Sequence, residues 1–412
     1  MTMATILAYT SPALGHLLPM SALLCALSAR GHVVHLRTLS GGVEIGRRLG
    51  FTTGAIDARI EDIEHDDWTA TNPFAALKLS VGVFARRSTY EVTDLADAVS
   101  DVRPDALLVD VNCWGALSAS ETSGVPWACF SPYTPALRSP GVPPFGLGLR
   151  PATGVLGSIR DAVVRQAVLG RLERVILPPV NAIRANVGVG PVASMDDFLR
   201  RAGLILIATG KPFEYEQTEW GDSVQMIGPC VLDPGPDETP EWMASIDRPI
   251  VLVTTSSEKQ SDASLLRTAL TALADEPVHV VATVPAGRPD DYAAPPNATV
   301  RRFVPHGVVL DRAVCAVTHG GMGATQKALA RGIPVCVVPF GRDQLEVARR
   351  VEVARCGTRL PARRLSAPRL RARVREAMTM TAGAQRVASG FAATGGVAHG
   401  AELFEQRTLG LP

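Results

Sequence analysis

A histidine and an aspartate follow two separate apolar segments in the first third of the chain. His16 comes shortly after ATILAYT, and Asp110 ends DALLVD. Imidazole can take a proton from a hydroxyl near neutral pH, because its ordinary pKa is about 6.5. A carboxylate on the other ring nitrogen fixes the tautomer and stabilises the imidazolium that forms. Taken singly, His16 is more typical of a helix start and Asp110 of a helix cap, so the prediction of base catalysis depends on their meeting.

A glycine-rich segment in the second half has the features of a phosphate site. The stretch AVCAVTHGGMGATQKAL runs from a strand-like part through His319 and three glycines into a helical part. The free N–H groups and the positive dipole end of a helix suit a diphosphate, and His319 can add a hydrogen bond. Because a tight strand-to-helix turn needs glycine anyway, the motif indicates phosphate binding only together with its context.

The segments around these motifs predict alternating strands and helices. In the first half, the strand-like stretches are ATILAYT, HVVHLRT, DALLVD and PWACFS, and the helix LLPMSALLCALSARG ends at Gly31. In the second half they are IVLVTTS, VHVVATV, ATVRRF, AVCAVTH and PVCVVPF. Short apolar runs of this kind are typical of parallel strands covered on both faces. Parallel strands end at one edge of their sheet, so His16 and Asp110 should lie close together.

The chain is too long for a single core, since cores stop growing at about 250 to 300 residues. The Pro- and acid-rich stretch CVLDPGPDETPEWMASIDRP has the composition of a linker between two domains. We therefore predict an α/β protein with doubly wound parallel-sheet domains at 1–230 and 249–392, joined by a linker at 231–248. Two such domains leave a cleft between the carboxyl ends of their strands, which is where open α/β sheets bind ligands.

The order of the motifs between Phe303 and Gln344 is specific. Phe303 begins FVPHGVVL sixteen residues before His319, and PFGRDQ places Asp343 and Gln344 after the next strand. This order resembles the donor signature of the family 1, or macrolide-type, glycosyltransferases of bacterial natural-product biosynthesis. The resemblance implies the GT-B fold, two Rossmann-like domains facing across a cleft, with acceptor bound by 1–230 and nucleotide sugar by 249–392. It also implies that a terminal helix at about 393–412 returns to the first domain, and it leaves a homodimer open.

The resemblance assigns donor-binding roles residue by residue. Phe303 would stack on the nucleobase, and the Val304 backbone would pair with the edge of that base. Asp343 and Gln344 would hydrogen-bond the hydroxyls of the sugar. The other residues assigned to the donor site lie at or near the diphosphate: Ser256, Ser257, His319, Gly321, Met322, Gly323, Ala324 and Thr325.

The identity of the donor is predicted from one departure from the family pattern. Lys327 stands where many uridine-diphosphate enzymes of the family carry a glutamate that holds the ribose hydroxyls. A deoxyribose makes fewer such demands, so we expect a dTDP-sugar rather than a UDP-sugar as co-substrate. The chain has no D-x-D triplet, the usual metal–diphosphate clamp of the other glycosyltransferase fold. We therefore expect no metal and no cofactor, and we interpret the acidic run at 61–67 as a solvated loop.

The predicted reaction is an inverting, single displacement on a small hydrophobic aglycone. His16 would remove the proton of the acceptor hydroxyl while the nucleoside diphosphate leaves. The Pro-rich stretch at 131–151 is predicted to be a surface loop near a strand end, where recognition residues are common. Aromatic residues of the first domain suit a flat, apolar acceptor, although each fits a core position equally well: Trp68, Phe74, Phe84, Trp114, Tyr133 and Phe145.

The composition excludes several classes of partner. Forty-one basic and forty acidic residues give a formal charge of +1, which provides no field for nucleic acid or an anionic membrane. The seven cysteines are widely spaced and lack metal-binding patterns, so they indicate free thiols. The start of the chain lacks an export signal, and no apolar run is long enough to span a bilayer, so we expect a cytoplasmic protein.

Of three other functions considered for this pattern, the first is excluded and the other two remain alternatives. A nicotinamide oxidoreductase would carry G-x-G-x-x-G after its first strand, whereas this chain has SPALGH. A sugar-nucleotide epimerase on the same fold would convert its donor without an acceptor. A non-catalytic sugar-nucleotide-binding partner protein would have no need of both His16 and Asp110.

Overall fold

The computed structural model describes residues 3–70, 72–152, 154–233, 239–257 and 262–412. Residues 234–238 of the predicted linker lie outside the described residues. Within the described part, the strands form two sheets, one of seven strands and one of six, and every neighbouring pair is parallel. The predicted α/β class with two doubly wound parallel sheets is confirmed.

The N-terminal sheet positions the two predicted catalytic residues. Its described strands are β1 (Thr5–Tyr9), β2 (Val33–Thr38), β3 (Thr52–Ala55), β4 (Ala106–Asp110), β5 (Trp127–Ser131), β6 (Ile205–Ile207) and β7 (Val224–Met226). Their order across the sheet is β3-β2-β1-β4-β5-β6-β7. The direction of winding reverses between β1 and β4, and ligands bind beyond the carboxyl ends of strands at such a point. His16 follows β1 and Asp110 ends β4, so both lie at this point.

The C-terminal sheet repeats the arrangement. Its described strands are β8 (Ile250–Thr254), β9 (His279–Thr283), β10 (Ala298–Arg301), β11 (Ala313–Thr318), β12 (Val335–Val337) and β13 (Gly357–Arg359). They are ordered β10-β9-β8-β11-β12-β13, so the winding reverses between β8 and β11. The serines after β8 and the glycine-rich turn after β11 therefore meet at the reversal point of the second sheet.

Helices cover both faces of the two sheets and bury their apolar residues against the strands. In the first sheet's part of the chain they are α1 (Leu14–Ala29), α2 (Val43–Arg48), α3 (Ala58–Glu61), α4 (Pro73–Val102), α5 (Trp114–Ser120), α6 (Gly154–Val164), α7 (Gly170–Asn186) and α8 (Met195–Leu199). The others are α9 (Glu241–Ala244), α10 (Ala263–Leu273), α11 (His306–Leu310), α12 (Met322–Ala330), α13 (Gln344–Val353), α14 (Ala367–Met378), α15 (Thr381–Ala393) and α16 (Gly396–Arg407). Among the residues described, none of the helices is both long and apolar enough to cross a membrane.

The last helix of the chain packs on the first domain. Leu403 and Phe404 of α16 are buried in the same apolar cluster as residues of α1 and β1. Glu405 accepts hydrogen bonds from Arg30 at 2.9 and 2.6 Å and contacts His32 Nε2 at 2.9 Å. These contacts tie the end of the chain to the N-terminal sheet, the position that the resemblance implied for it.

Candidate active site

His16 and Asp110 form a hydrogen-bonded pair. The ring Nδ1 of His16 lies 2.8 Å from Oδ2 of Asp110, whose side chain is fully buried. The other carboxylate oxygen, Oδ1, accepts a hydrogen bond from the backbone N–H of Asn112 at 2.9 Å. A carboxylate at this distance holds the proton on Nδ1 and leaves Nε2 as the nitrogen that can accept one. The contact that the catalytic prediction requires is therefore present.

Asn112 and Tyr133 complete the surroundings of the imidazole. The Asn112 amide nitrogen lies 3.4 Å from His16 Nε2, and its carbonyl oxygen accepts a hydrogen bond from the Tyr133 hydroxyl at 2.7 Å. The Tyr133 ring meets the imidazole edge-on, with centroids 5.9 Å apart. The sequence motifs did not indicate Asn112, although its place two residues after a strand-ending aspartate puts it at the same sheet edge.

Asp343 of the second domain faces this group across the cleft. It lies immediately before α13, and burial raises the pKa of its carboxyl to about 6, against the opposing influence of Arg342 and His16. The charge of Asp343 in turn contributes, after burial and Asp110, to the raised pKa of Tyr133. The predicted sugar-binding aspartate and the predicted base thus lie in one electrostatic environment.

Gln344 is held differently from Asp343. Its side chain is buried, and its Oε1 accepts hydrogen bonds from the backbone N–H groups of Phe340 and Gly341 at 2.7 and 3.1 Å. These bonds fix the loop that precedes α13. The predicted contact of Gln344 with the sugar stays a prediction. The side-chain oxygen of Gln344 is already hydrogen-bonded to the backbone of this loop.

The glycine-rich turn joins β11 to α12 in the predicted way. Gly320 has φ +96°, and a Cβ there would lie 3.0 Å from the Cβ of Gln344 and 3.1 Å from Val337 Cγ1, so the turn requires glycine. Gly321 occupies the N-cap position of α12 and has no side chain with which to accept from the first N–H groups. Those groups can therefore donate to an anion.

The side chains around this turn do not all face the cleft. Thr325 is fully buried and its hydroxyl shares a hydrogen bond of 3.1 Å with Thr318, while Met322 packs in the second domain's core. Ser256 donates its backbone N–H to Asp262 Oδ2 at 2.6 Å, and that oxygen lies 3.9 Å from His319 Nδ1. Ser257 is exposed. The sequence motifs did not indicate Asp262, which links the two segments predicted to hold the diphosphate.

The predicted nucleobase site presents an exposed aromatic ring. Phe303 is 53% exposed, whereas the next residue, Val304, is buried. His306 is partly buried with its Nε2 3.0 Å from the Thr283 hydroxyl, and desolvation together with Lys327 lowers its pKa to about 4. An exposed phenylalanine ring suits stacking with a nucleobase.

The side chain of Lys327 binds two residues of the predicted linker. Its ammonium pairs with Asp233 and donates to the carbonyl of Leu232 at 3.0 Å. Asp233 also accepts the backbone N–H of Gly307 at 2.8 Å. Lys327 therefore joins Leu232 and Asp233, in the predicted linker, to α12.

The predicted acceptor residues fall into two groups. Trp68 and Phe74 are each almost half exposed, and Tyr133 and Phe145, in the Pro-rich stretch at 131–151, are partly exposed. Trp114 is only 6% exposed and its ring lies 5.1 Å from that of Phe84, both within the N-terminal core. In this structure Trp114 and Phe84 pack the core beneath the site and do not form an open surface.

The acidic run at 61–67 is exposed at Asp62, Glu64 and Asp66, as expected of a solvated loop, but it ends in a buried residue. Asp67 is buried, and both of its carboxylate oxygens accept from Arg342, with Nη2 at 2.7 Å and Nε at 3.0 Å. Arg342 has φ +51°, an uncommon conformation for a residue other than glycine. Asp67 differs from the rest of the run because it meets its partner across the cleft, 275 positions along the chain.

A buried acid lies behind the His16–Asp110 pair. Glu91 of α4 accepts the backbone N–H of Gly115 at 2.9 Å, and burial raises its pKa to about 8, with a smaller contribution from Asp110. An unfolded glutamate ionises at a pH of about 4.3. Between these two values the native chain keeps a proton that the unfolded chain has lost, so Glu91 destabilises the fold increasingly as pH rises.

We therefore expect Glu91→Gln to remove part of the pH dependence of stability. The wild-type free energy of unfolding should fall by about 2 kcal/mol between about pH 6 and pH 8 through this group, and the variant should lack that loss. Urea unfolding at both pH values measures the difference. Glu376→Gln, in an exposed pair with Arg373, is the control. Identical pH dependence in the wild type and Glu91→Gln would show that the Glu91 carboxyl of the folded protein is not protonated in this pH range.

The arrangement of the two domains is that of GT-B glycosyltransferases. The glycotransferase of kitacinnamycin superposes with a TM-score of 0.75 at 23% identity, covering 99% of each chain. A Streptomyces sp. SF2575 glycosyltransferase, determined in complex with thymidine diphosphate, superposes with a TM-score of 0.72 at 17% identity, covering 98% of this chain and 99% of that one. The predicted GT-B fold is confirmed.

Sequence comparison then gives the family. Residues 266–399 match the model described as "Erythromycin biosynthesis protein CIII-like, C-terminal domain". The chain is 32% identical over 392 residues to 4'-demethylrebeccamycin synthase of Lentzea aerocolonigenes, in an alignment that covers 90% of this chain and 91% of that protein. The chain therefore belongs to the macrolide-type glycosyltransferases of natural-product biosynthesis, as its motifs predicted.

Proposed function

We propose that this glycosyltransferase moves a deoxysugar from a dTDP-sugar onto a small hydrophobic aglycone, with inversion and without a metal. The observation that carries the proposal is the 2.8 Å contact between His16 Nδ1 and the buried Asp110, at a sheet edge that faces Asp343. A base fixed in this tautomer can deprotonate a hydroxyl held at its Nε2.

The proposed step is a direct displacement. The acceptor hydroxyl loses its proton to His16 Nε2, and its oxygen forms a bond to the anomeric carbon as the bond to the diphosphate breaks. Asp110 stabilises the resulting imidazolium. The N–H groups at the start of α12 stabilise the negative charge on the departing diphosphate, which makes a metal unnecessary. Asp343 binds the hydroxyls of the sugar.

The preference for dTDP is supported by two observations. The ammonium of Lys327 pairs with Asp233 at a position where a carboxylate would be needed to hold ribose hydroxyls. The Streptomyces glycosyltransferase of the same fold binds thymidine diphosphate. The hydrophobic acceptor is supported by the partly exposed rings of Trp68, Phe74, Tyr133 and Phe145 in the N-terminal part.

Turnover of matched dTDP- and UDP-sugars with a panel of natural-product aglycones tests this proposal. We expect kcat/KM to be at least about tenfold higher with dTDP, since one unmet polar group discriminates by roughly that factor. Addition of EDTA should leave the rate unchanged. A clear preference for UDP would contradict the donor assignment, and conversion of the sugar nucleotide without any aglycone would favour an epimerase.

A further inference from the structure

The loop that follows β5 is anchored to the donor-domain helix α13 by one carboxylate. Gly146 and Gly148 donate their backbone N–H groups to the same oxygen, Oε1 of Glu346, at 2.8 and 2.7 Å. Arg349 of the same helix donates to the carbonyl of Gly148 at 2.8 Å. The loop is therefore held through both its N–H and its C=O groups, by residues about 200 positions away in the sequence.

The second oxygen of Glu346 belongs to a buried charge network. Arg350 donates to Glu346 Oε2 and to Glu214 Oε2, each at 2.8 Å, and all three side chains are at most 4% exposed. Glu214 Oε1 in turn accepts from the hydroxyls of Thr134 and Thr209. Buried charges need partners of this quality, because an uncompensated one is strongly destabilising. Arg350 thus connects Thr134, near the start of the loop, to Gly146 and Gly148 farther along it.

This loop lies next to the predicted general base, so the charge network that holds the loop can affect how an acceptor is bound there. The loop starts at the sheet edge that carries Asp110, and its Tyr133 contacts Asn112 and lies edge-on to His16. Farther along, it carries Phe145, partly exposed, and Leu147, 41% exposed, beside the two anchored glycines. The helix that holds the loop also has Asp343 at its N-terminus. One helix therefore sets the position of the apolar loop relative to the sugar-binding aspartate.

We propose that Glu346, braced by Arg350, is a positioning residue for the acceptor. Its carboxylate holds the Gly146–Gly148 segment in place, so that Phe145 and Leu147 form an apolar wall for the aglycone beside the predicted general base, His16. This inference rests on the proposed function, since it assigns the loop to acceptor binding. The negative charge is essential, because a carboxylate accepts two N–H groups and an arginine more strongly than a neutral amide does.

Glu346→Gln tests the charge without removing the shape. We expect KM for the aglycone to rise by about tenfold, with kcat within about threefold and the Kd for thymidine diphosphate unchanged. Hydrogen exchange should become faster in peptides covering 141–152. Glu44→Gln is the matched control, because Glu44 and Arg48 form an i,i+4 pair like Glu346 and Arg350, but an exposed one.

Gly148→Ala tests the same contact from the loop. Gly148 has φ +56°, and a Cβ there would lie 2.4 Å from the carbonyl oxygen of Leu345, so alanine should prevent seating. The two variants should raise KM for the aglycone alike, and the double variant should add little to either. Unchanged exchange at 141–152 in Glu346→Gln, or additive effects in the double variant, would overturn the inference. The exchange measurement needs no turnover, so it decides the seating even if the proposed transfer reaction fails.

Discussion

Replacing His16 with alanine should lower kcat for sugar transfer by about a thousandfold. General-base catalysis by a positioned side chain contributes roughly 10²- to 10⁴-fold, and His16 Nε2 is the nitrogen placed for it by the bond from Nδ1 to Asp110. The predicted nucleotide site lies in the other domain, so the Kd for thymidine diphosphate should not change. Single-turnover transfer and titration calorimetry measure the two quantities.

A surface histidine provides the control for this experiment. His399 is 42% exposed in α16, and His399→Ala should leave both transfer and nucleotide binding at wild-type values. A His16→Ala enzyme that transfers sugar at the wild-type rate would remove His16 from the mechanism. Parallel loss of nucleotide binding would show a structural defect instead.

Asp110→Asn should cost almost as much, about 10²- to 10⁴-fold in kcat. Asparagine is the same size, but its amide nitrogen would donate to Nδ1 of His16, so the ring proton would move to Nε2. The nitrogen facing the acceptor would then be unable to take a proton. Because the fault lies in the tautomer, raising the pH should not restore the rate.

The control for Asp110→Asn is a change at Asp222, which is exposed and does not lie at the end of a strand. Asp222→Asn should keep full activity at every pH. Recovery of Asp110→Asn at high pH would contradict the tautomer explanation, because the tautomer of a neutral imidazole does not change with pH. Full activity at neutral pH would exclude Asp110 from the mechanism.

The strands and the main motifs could be predicted because their signals are local. Runs such as ALLVD and AVCAVT are continuous and apolar, as expected for strands covered on both faces, and they form β4 and β11. The topology then brings Asp110 close to the segment that follows β1 and contains His16, since β1 and β4 are neighbours. The contact between His16 and Asp110 follows from that adjacency.

The long helix α4 (Pro73–Val102) was not predicted. Its sequence mixes β-branched and charged residues, and its apolar face becomes clear only when it packs against α5 and α7. Glu91 lies on this helix, so the acid behind Asp110 could not be identified without it. Tertiary packing decided this segment more than local propensity did.

The contacts across the cleft were also beyond the sequence. Arg342 meets Asp67, and Glu346 meets Gly146 and Gly148, through pairs separated by 198 to 275 positions. No short motif encodes such pairs. The left-handed backbone conformation at position 342 could not be predicted either, because the residue there is arginine and not glycine. The burial of Asp67 at the end of the acidic run could not be predicted, because its partner Arg342 lies 275 positions away.

The anomeric configuration of the product tests the central claim most directly. A base that activates the acceptor for one direct displacement must invert the anomeric carbon. Transfer from an α-linked dTDP-sugar should therefore give a β-glycoside, recognisable by the anomeric proton and carbon signals in NMR. An α-glycoside from the same donor would require two displacements or a different route, and would contradict the proposed roles of His16 and Asp110.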